Sequence, residues 1–348
     1  MQGNKEEIVT TKSRCSFFVV GVFLFLSFAA TFDAAAAPAD ISFFKGKTVT
    51  YIVSTKTGGG YDTYARLVAK YMQKYLPGSK VIVKNVPGAG HIVGANTIYA
   101  AAPDGLTIGT FNTGLVYGQI LGQEGIQFDL NKFSWIGKAN SETRVVIVGA
   151  KTPYKTFKDL QDSKVPIKMP SSGVGSEDHN ETLILAAALP VKFQPIPGYS
   201  GKEAEMAILR GEVPAVLGSY TGLYGLILAK EGRPVLQYGS ENKIPGLENV
   251  PHINSMKLSP ASRNMVNLVN AIDIIGRLTA APPGMPAGRL EVLRDAYKKA
   301  LTDPDLIKDA KKSSLDLDPA YGEEVQKLVA ASINQPAENL KMLRDIIK

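Results

Sequence analysis

From Thr48 onward, short β-branched and aromatic runs alternate with runs of helical periodicity, and the joints between them are rich in small residues. Residues 48–53, Thr-Val-Thr-Tyr-Ile-Val, read as a strand that ends before three consecutive glycines at 58–60. Tyr64, Leu67, Val68, Tyr71, Met72, Tyr75 and Leu76 then recur at helical spacing until Pro77 and Gly78 stop them. The cycle repeats with a strand over 81–83, a helix through 101, a strand over 106–111 and a short helix over 114–121. Further strands are predicted at 145–148, 167–169, 191–195, 213–217 and 235–238, with helices at 177–188 and 203–209. Beyond Pro286 the chain is almost purely helical: Leu290, Leu293, Tyr297 and Leu301 share one face, and Val325, Leu328, Val329 and Ile333 share another. Such alternation with short connections predicts an α/β fold of mainly parallel sheets covered by helices on both faces.

Three of the joints are Gly-rich and stand after a strand and before a helix: residues 57–62, 87–91 and 171–176. In α/β folds this is where ligands bind. The unsatisfied N–H groups and the dipole of a helix amino terminus favour a negative group, and glycine lets that group reach the backbone. Three such joints can hold a carboxylate or a phosphate, although any one of them is equally explained as a plain turn.

Composition fits a folded soluble protein and offers no raw material for a dense metal cluster. The 348 residues are 45% hydrophobic and 20% charged, enough to bury a sizeable core, and the formal charge is +7. Lys12 and Arg14 precede an apolar run over 16–30, which is too short for a helix crossing a ~30 Å hydrocarbon layer. Small residues at 34–37 follow, so residues 1–36 are expected to be a cleaved secretory signal, with the cut between 36 and 39; an uncleaved anchor is the alternative. Cleavage removes the single Cys, Cys15, and leaves the charge unchanged, because Lys5, Lys12 and Arg14 balance Glu6, Glu7 and Asp33. The export signal places the product in the periplasm. The three His residues are far apart, with no paired-ligand spacing, so no metal and no cofactor are expected.

The loops carry a resemblance. Residues 53–62 (Val-Ser-Thr-Lys-Thr-Gly-Gly-Gly-Tyr-Asp), 85–95 (Asn-Val-Pro-Gly-Ala-Gly-His-Ile-Val-Gly-Ala) and 102–107 (Ala-Pro-Asp-Gly-Leu-Thr) resemble, in order, signatures of the periplasmic receptors of tripartite tricarboxylate transporters. Residues 171–176 with His179, then 199–201, 209–213 and 281–286, extend the similarity over essentially the whole chain from Ser42. The resemblance implies a two-lobed, flytrap-like binding protein whose lobes are α/β sheets and whose ligand cleft lies between them. It implies a first lobe over 40–141 plus 269–348 and a second over 142–268. It also implies a small organic anion as ligand and integral membrane transporter subunits as partners; a monomer with no nucleic-acid partner is expected.

Candidate ligand-binding residues follow loop by loop. Gly58, Gly59 and Gly60 are expected to offer N–H groups, with hydroxyls from Thr55 and Thr57. Ala89, Gly90 and His91 stand at the second helix entrance, and Asn112 and Thr113 just past the third strand. Ser172, Gly173, Gly175 and Ser176 form the facing cradle, completed by Tyr199 and Gly201, and by Ser219 and Tyr220. Asp62 has two readings, a cap on helix N–H groups or a receiver of a ligand amine or hydroxyl; Ser176 is equally a cap or a contact, and His179 a structural donor or a ligand contact. Where the family often carries prolines and Phe, this chain has Ser54, Thr55, Lys56 and Thr57, and Tyr61 replaces a small hydroxyl residue. That phenol narrows the entrance, and Lys56 adds a charge. Pro214 stands where the family often has Asp.

Enzymatic readings lack their residues. The glycines at 88, 90 and 94 have no acidic partner after the next strand, where Phe111, Asn112 and Thr113 stand. No phosphate-binding G-x-x-x-x-G-K-[ST] and no G-x-S-x-G elbow occurs. Pairs such as Lys298–Lys299 and Lys311–Lys312 read as solvated helix faces. The competing class is a periplasmic sensor that uses the same binding domain to feed a signalling partner.

Overall fold

The computed structural model describes residues 40–347; the expected export signal lies outside the described residues. The chain begins with β1 (Thr48–Val53), α1 (Gly60–Met72), β2 (Lys80–Asn85), α2 (Ile92–Tyr99), β3 (Thr107–Thr110), α3 (Leu115–Leu121) and β4 (Ser134–Lys138). It continues through β5 (Thr143–Gly149), α4 (Phe157–Gln161), β6 (Ile167–Ser171), α5 (Glu177–Ala188), β7 (Phe193–Pro197), α6 (Glu203–Arg210), β8 (Ala215–Ser219), α7 (Tyr220–Leu228) and β9 (Gly232–Gly239). The last part is α8 (Pro260–Ile275), β10 (Leu278–Ala281), α9 (Ala287–Thr302), α10 (Pro304–Lys312), β11 (Ala320–Tyr321), α11 (Glu323–Ile333) and α12 (Ala337–Ile346).

Alternation of side chains along a strand explains the layering. In β1, Val49, Tyr51 and Val53 face one core with α1 and α9, whereas Ile52 faces another with α2 and α3. In β5, Val145 and Ile147 meet α6 and α7, while Val146 and Val148 turn to the opposite face. Both strands are buried on two faces, which is why they read as near-continuous apolar runs.

Six strands form one sheet in the order β11-β4-β10-β3-β1-β2, drawn from the beginning and the end of the described chain. The stretch from β5 to β9 builds a three-stranded sheet, β8-β5-β9, and the pair β6-β7. The expected α/β class with flanking helices is present. The expected parallel direction holds for β1 with β2 and β3 and for β6 with β7. Elsewhere it needs correction: β10 is antiparallel to β3 and β4, β11 to β4, and β5 to both β8 and β9. Strand–helix alternation suggests parallel crossovers, but β4 and β5 follow one another through a short link into different sheets, so neither needs a crossover partner.

Two chain segments pass between these sheets side by side. One is the 139–142 link from β4 to β5, the other the 276–277 link from α8 to β10. They are stitched by Ala139 N–H to Arg277 O (2.9 Å), Arg277 N–H to Asn140 O (3.1 Å) and Glu142 N–H to Asp273 O (3.1 Å). Ser259 caps the start of α8 by accepting from Ser262 N–H, Pro260 sits in its first turn, and Gly276 ends it at φ +63°. A Cβ on Gly276 would lie 1.7 Å from Asn140 O, so only glycine allows the two segments to approach this closely. Residue 269 lies inside α8; the chain returns to the six-stranded sheet only after Gly276.

Candidate functional site

A cavity of about 110 Å³ opens where loops of the six-stranded sheet meet loops of the β5–β9 region. Of the residues expected at the ligand, Thr55, Gly59, Gly60, Tyr61, His91, Asn112, Ser172, Tyr199, Gly201 and Ser219 line it. Ten residues from six segments distant in sequence thus converge on one cavity. In α1 the first amide bonded back into the helix is Thr63 N–H to Gly59 O (3.0 Å). The N–H groups of Gly60 and Tyr61 precede it, at the positive end of a 13-residue helix. Gly59 passes the Gly201 backbone with room for a bare methyl and no more, since a Cβ would sit 3.8 Å from its Cα.

The other expected residues support these walls from behind. Gly58 N–H donates to Asp62 Oδ2 (2.9 Å), and Arg66 Nε (3.0 Å) and Asn85 Nδ2 (2.9 Å) donate to the same carboxylate. Burial would push the Asp62 carboxyl up, but those donors outweigh it and hold it below the usual aspartate range. Asp62 therefore fixes the loop ahead of α1. Thr57 and Ala89 are exposed and away from the cavity. Gly90, at φ +59°, and Gly173 let the second and third Gly-rich loops touch: a Cβ on Gly90 would be 2.7 Å from Val174 O. Gly175, at φ +80°, lies against the Gln123 side chain. The Ser176 hydroxyl donates to Gly173 O (2.6 Å) and meets Asp178 instead of a helix amide. Tyr220 packs on Tyr224, away from the cavity, whereas Ser219 Oγ accepts from Gly222 N–H (3.2 Å). His179 Nδ1 is 3.3 Å from Ser171 Oγ, outside the lining.

His91 is buried with Nδ1 3.2 Å from Ser54 O. A carbonyl only accepts, so Nδ1 carries the proton and Nε2 is the acceptor left over. Burial holds this ring below the usual histidine range, hence neutral.

Sequence reasoning missed the charged part of the wall. Arg144 at the start of β5 and Arg277 in the second link both line the cavity and are buried. Arg144 Nη1 meets Glu177 Oε2 (2.8 Å) and Glu142 Oε2 (3.1 Å), and its Nη2 meets Glu181 Oε2 (2.7 Å). Arg277 Nη1 pairs with Glu142 Oε1 (2.6 Å), and its guanidinium carbon stacks 3.9 Å from the centre of the Tyr61 ring. Asn112 and Thr113 reach the network through Glu177: Asn112 Nδ2 donates to Oε2 (2.9 Å) and the Thr113 hydroxyl donates to Oε1. Their polar groups are thereby committed within the protein. Thr113 N–H in turn donates to the Tyr61 hydroxyl (3.1 Å), which fixes the phenol that forms part of the wall.

Four carboxyls surround two guanidiniums, and their protons sort accordingly. Burial would raise Glu177, but Arg144 and the donors Thr113 and Asn112 hold it below the usual range. Burial raises Glu142 despite its two arginines. Burial pushes Glu181 up to about 8, and Asp273, next to it, is pushed well above its usual value. Both are thereby biased toward their protonated forms, which relieves the excess of negative charge. Oxygens of Glu177, Glu181 and Asp273 lie within 4.8 Å of one another, a spacing that could suit a metal. The cation they surround is Arg144 itself.

Residues 64–344 match the family model described as the tripartite tricarboxylate transporter family receptor. A UPF0065 protein from the ttuE–ttuC' intergenic region of Agrobacterium vitis is 30% identical over 267 residues, 74% of this chain and 72% of that one. The solved periplasmic binding protein BugD superposes with a TM-score of 0.73 at 22% identity, covering 86% of this chain and 98% of the other. MatC of Rhodopseudomonas palustris, solved with bound malate, gives 0.71 at 20% identity, covering 87% and 99%. The fold is thus the two-lobed periplasmic binding-protein fold, and the chain belongs to the tripartite tricarboxylate transporter receptor family, whose members are periplasmic solute-binding proteins.

Proposed function

We propose that this protein captures a small organic anion in the cavity between two lobes and delivers it to an integral membrane transporter of the tripartite tricarboxylate type. The observation that carries this reading is the meeting of the α1 amino terminus and a buried arginine in one cavity walled from both sheets. Amide dipoles and a guanidinium replace the water that a carboxylate loses, which is the condition for burying a charge without prohibitive cost. MatC with malate, and a second Rhodopseudomonas palustris protein solved with adipate, support a carboxylate as the ligand class.

In this reading the lobes are 40–141 with the segment after α8, and the stretch between, and the paired links at 139–142 and 276–277 are the hinge. Closure brings together Lys56 and Glu203 at the rim (2.9 Å) and seats Glu177 against Asn112 and Thr113 inside. Micromolar affinity needs about 8 kcal/mol, within reach of several charge-assisted hydrogen bonds of ~1.5–3 kcal/mol each after ordering costs. Export to the periplasm through the cleaved signal completes the role.

The test is calorimetric titration of the purified protein with mono-, di- and tricarboxylates, alongside Gly59→Val. The γ-methyls of valine would enter the narrow gap to Gly201 and hold the loops apart, so every ligand should weaken. Heat with no carboxylate at all, or unchanged affinity in Gly59→Val, would count against the site.

A further inference from the structure

Resting on the anion-receptor reading, we infer that the cavity takes a single carboxylate on a short carbon chain, gripped by the free edge of Arg277, and excludes longer diacids. The buried Arg277 guanidinium is already engaged on one edge and one face. Its Nη1 is held by Glu142, and one face is covered by Tyr61. Its Nε is buried and has no hydrogen-bond partner, in a residue only 3% exposed. Its Nη2 points to the head of α1: a Cβ on Gly60 would lie 2.4 Å from it and 3.2 Å from Ser219 Oγ. Nε and Nη2 form the fork that a carboxylate meets with both oxygens. An unpaired buried donor is costly in the absence of such a partner.

The carboxylates around the cavity do not compete for a ligand cation, because each is spent. Glu177 is engaged by Arg144 and Asn112, Asp178 by the N–H and hydroxyl of Ser172 (both 2.8 Å), and Glu205 by Lys202 (2.5 Å). Among the described residues lining the cavity, the buried side-chain donor left without a partner is Arg277 Nε, and the acceptor left over is His91 Nε2. Space sets the second half of the inference. A volume of about 110 Å³ is well below the ~300–1,000 Å³ of an ordinary small-molecule pocket. A carboxyl group with a two- or three-carbon body fills it; a six-carbon diacid would have to hold the lobes open.

The experiment is isothermal titration calorimetry of the purified protein with propionate, pyruvate, succinate, adipate and citrate, repeated on Arg277→Lys, Arg277→Gln and Gly60→Ala. Propionate or pyruvate should bind about tenfold or more tighter than adipate and citrate; Arg277→Lys should lose about 10-fold and Arg277→Gln about 100-fold. Gly60→Ala keeps every charged residue and a permitted backbone, yet its methyl would lie 2.4 Å from Nη2 and push the guanidinium aside, so it should weaken the short acids as well. If the arginine variants fail to fold, Gly60→Ala decides alone. Tighter binding of adipate or citrate, or unchanged affinity in the variants, overturns the inference and leaves the anion receptor standing. Silence with all five acids removes the receptor reading too.

Discussion

Replacing Glu181 by Gln tests the charge network directly, and its magnitude follows from the burial of one carboxyl. Glu181 accepts from the Tyr238 hydroxyl (2.7 Å) and pairs with Arg144, while its second oxygen is buried without a partner beside Asp273. Burial raises it from 4.5 to about 8. The folded protein therefore binds this proton more tightly than the unfolded chain does. Between pH 4.5 and 8 the native state holds more protons, so stability falls as pH rises through that window and levels off above it. Each step of one in pKa is worth about 1.36 kcal/mol, so the full loss approaches ~5 kcal/mol. Sharing of the proton with Asp273 spreads part of this over a wider range. Glutamine cannot ionise; its carbonyl accepts from Tyr238 and Arg144, and its NH₂ donates to Asp273. Urea unfolding of both proteins at pH 5, 6, 7, 8 and 9 gives the comparison, with m-values checked for constancy. The variant should gain on the wild type progressively from pH 5 to 8, by about 2–5 kcal/mol in total. Parallel stability profiles across that range would refute the protonated pair.

Three further outcomes are expected. Gly276→Ala forces a Cβ onto Asn140 O at positive φ and should destabilise by about 3 kcal/mol or more in thermal or urea unfolding, because the two links can no longer pair. Lys56→Ala removes a rim ion pair whose members are about half exposed; ligand release in stopped-flow should quicken about 2- to 5-fold, less so at high salt, with little change in melting temperature. Glu142→Gln deprives Arg144 and Arg277 of their shared counter-ion and should cost about 3–5 kcal/mol of stability. The same variant should be rescued more strongly by pyruvate than the wild type in a thermal-shift assay, since an added carboxylate then supplies the missing charge.

The helix starts were legible because their signals are local. Gly58 to Gly60 before a periodic apolar run, and the acidic first turn of α5, announce themselves within a few residues, and α5 was read with its observed bounds. The start of α8 was equally readable, since Ser259 followed by Pro260 is a cap with proline at the first turn, yet the helix was overlooked between less regular neighbours. β4 and β10 escaped because four or five residues interrupted by Gly, Lys or Thr carry little periodicity of their own. The arginines are different in kind. Arg144 stands inside a strand otherwise made of Val, Ile, Gly and Thr, and a lone charge in such a run was the one available hint. Its partners Glu177, Glu181 and Asp273 are dispersed along the chain, and no local rule joins them. Asn112 and Thr113 were placed correctly at the end of β3, but their hydrogen bonds go to Glu177, a choice made by packing between sheets.

In the proposed reading, the position of Arg277 joins recognition to the hinge. Its backbone N–H and C=O are the very groups that pair the second link with the first, at Asn140 and Ala139, while its side chain forms part of the cavity wall. Rotation about those links cannot proceed without moving the guanidinium relative to Tyr61 and the head of α1, both of which belong to the six-stranded sheet's side. Glu142 sits on the first link and Glu177 at the start of α5, so the two carboxylates that balance the arginines lie on the segments that must shift. A ligand that binds the closed arrangement more tightly than any other shifts the hinge by its differential affinity alone. A change that disturbs the Arg277–Glu142 pair would alter the ligand's affinity only as far as it changes the balance between the closed and open arrangements or the guanidinium's contact with the ligand. In the proposed reading, anion recognition and domain movement both act through one buried side chain, which offsets the cost of desolvating an arginine there.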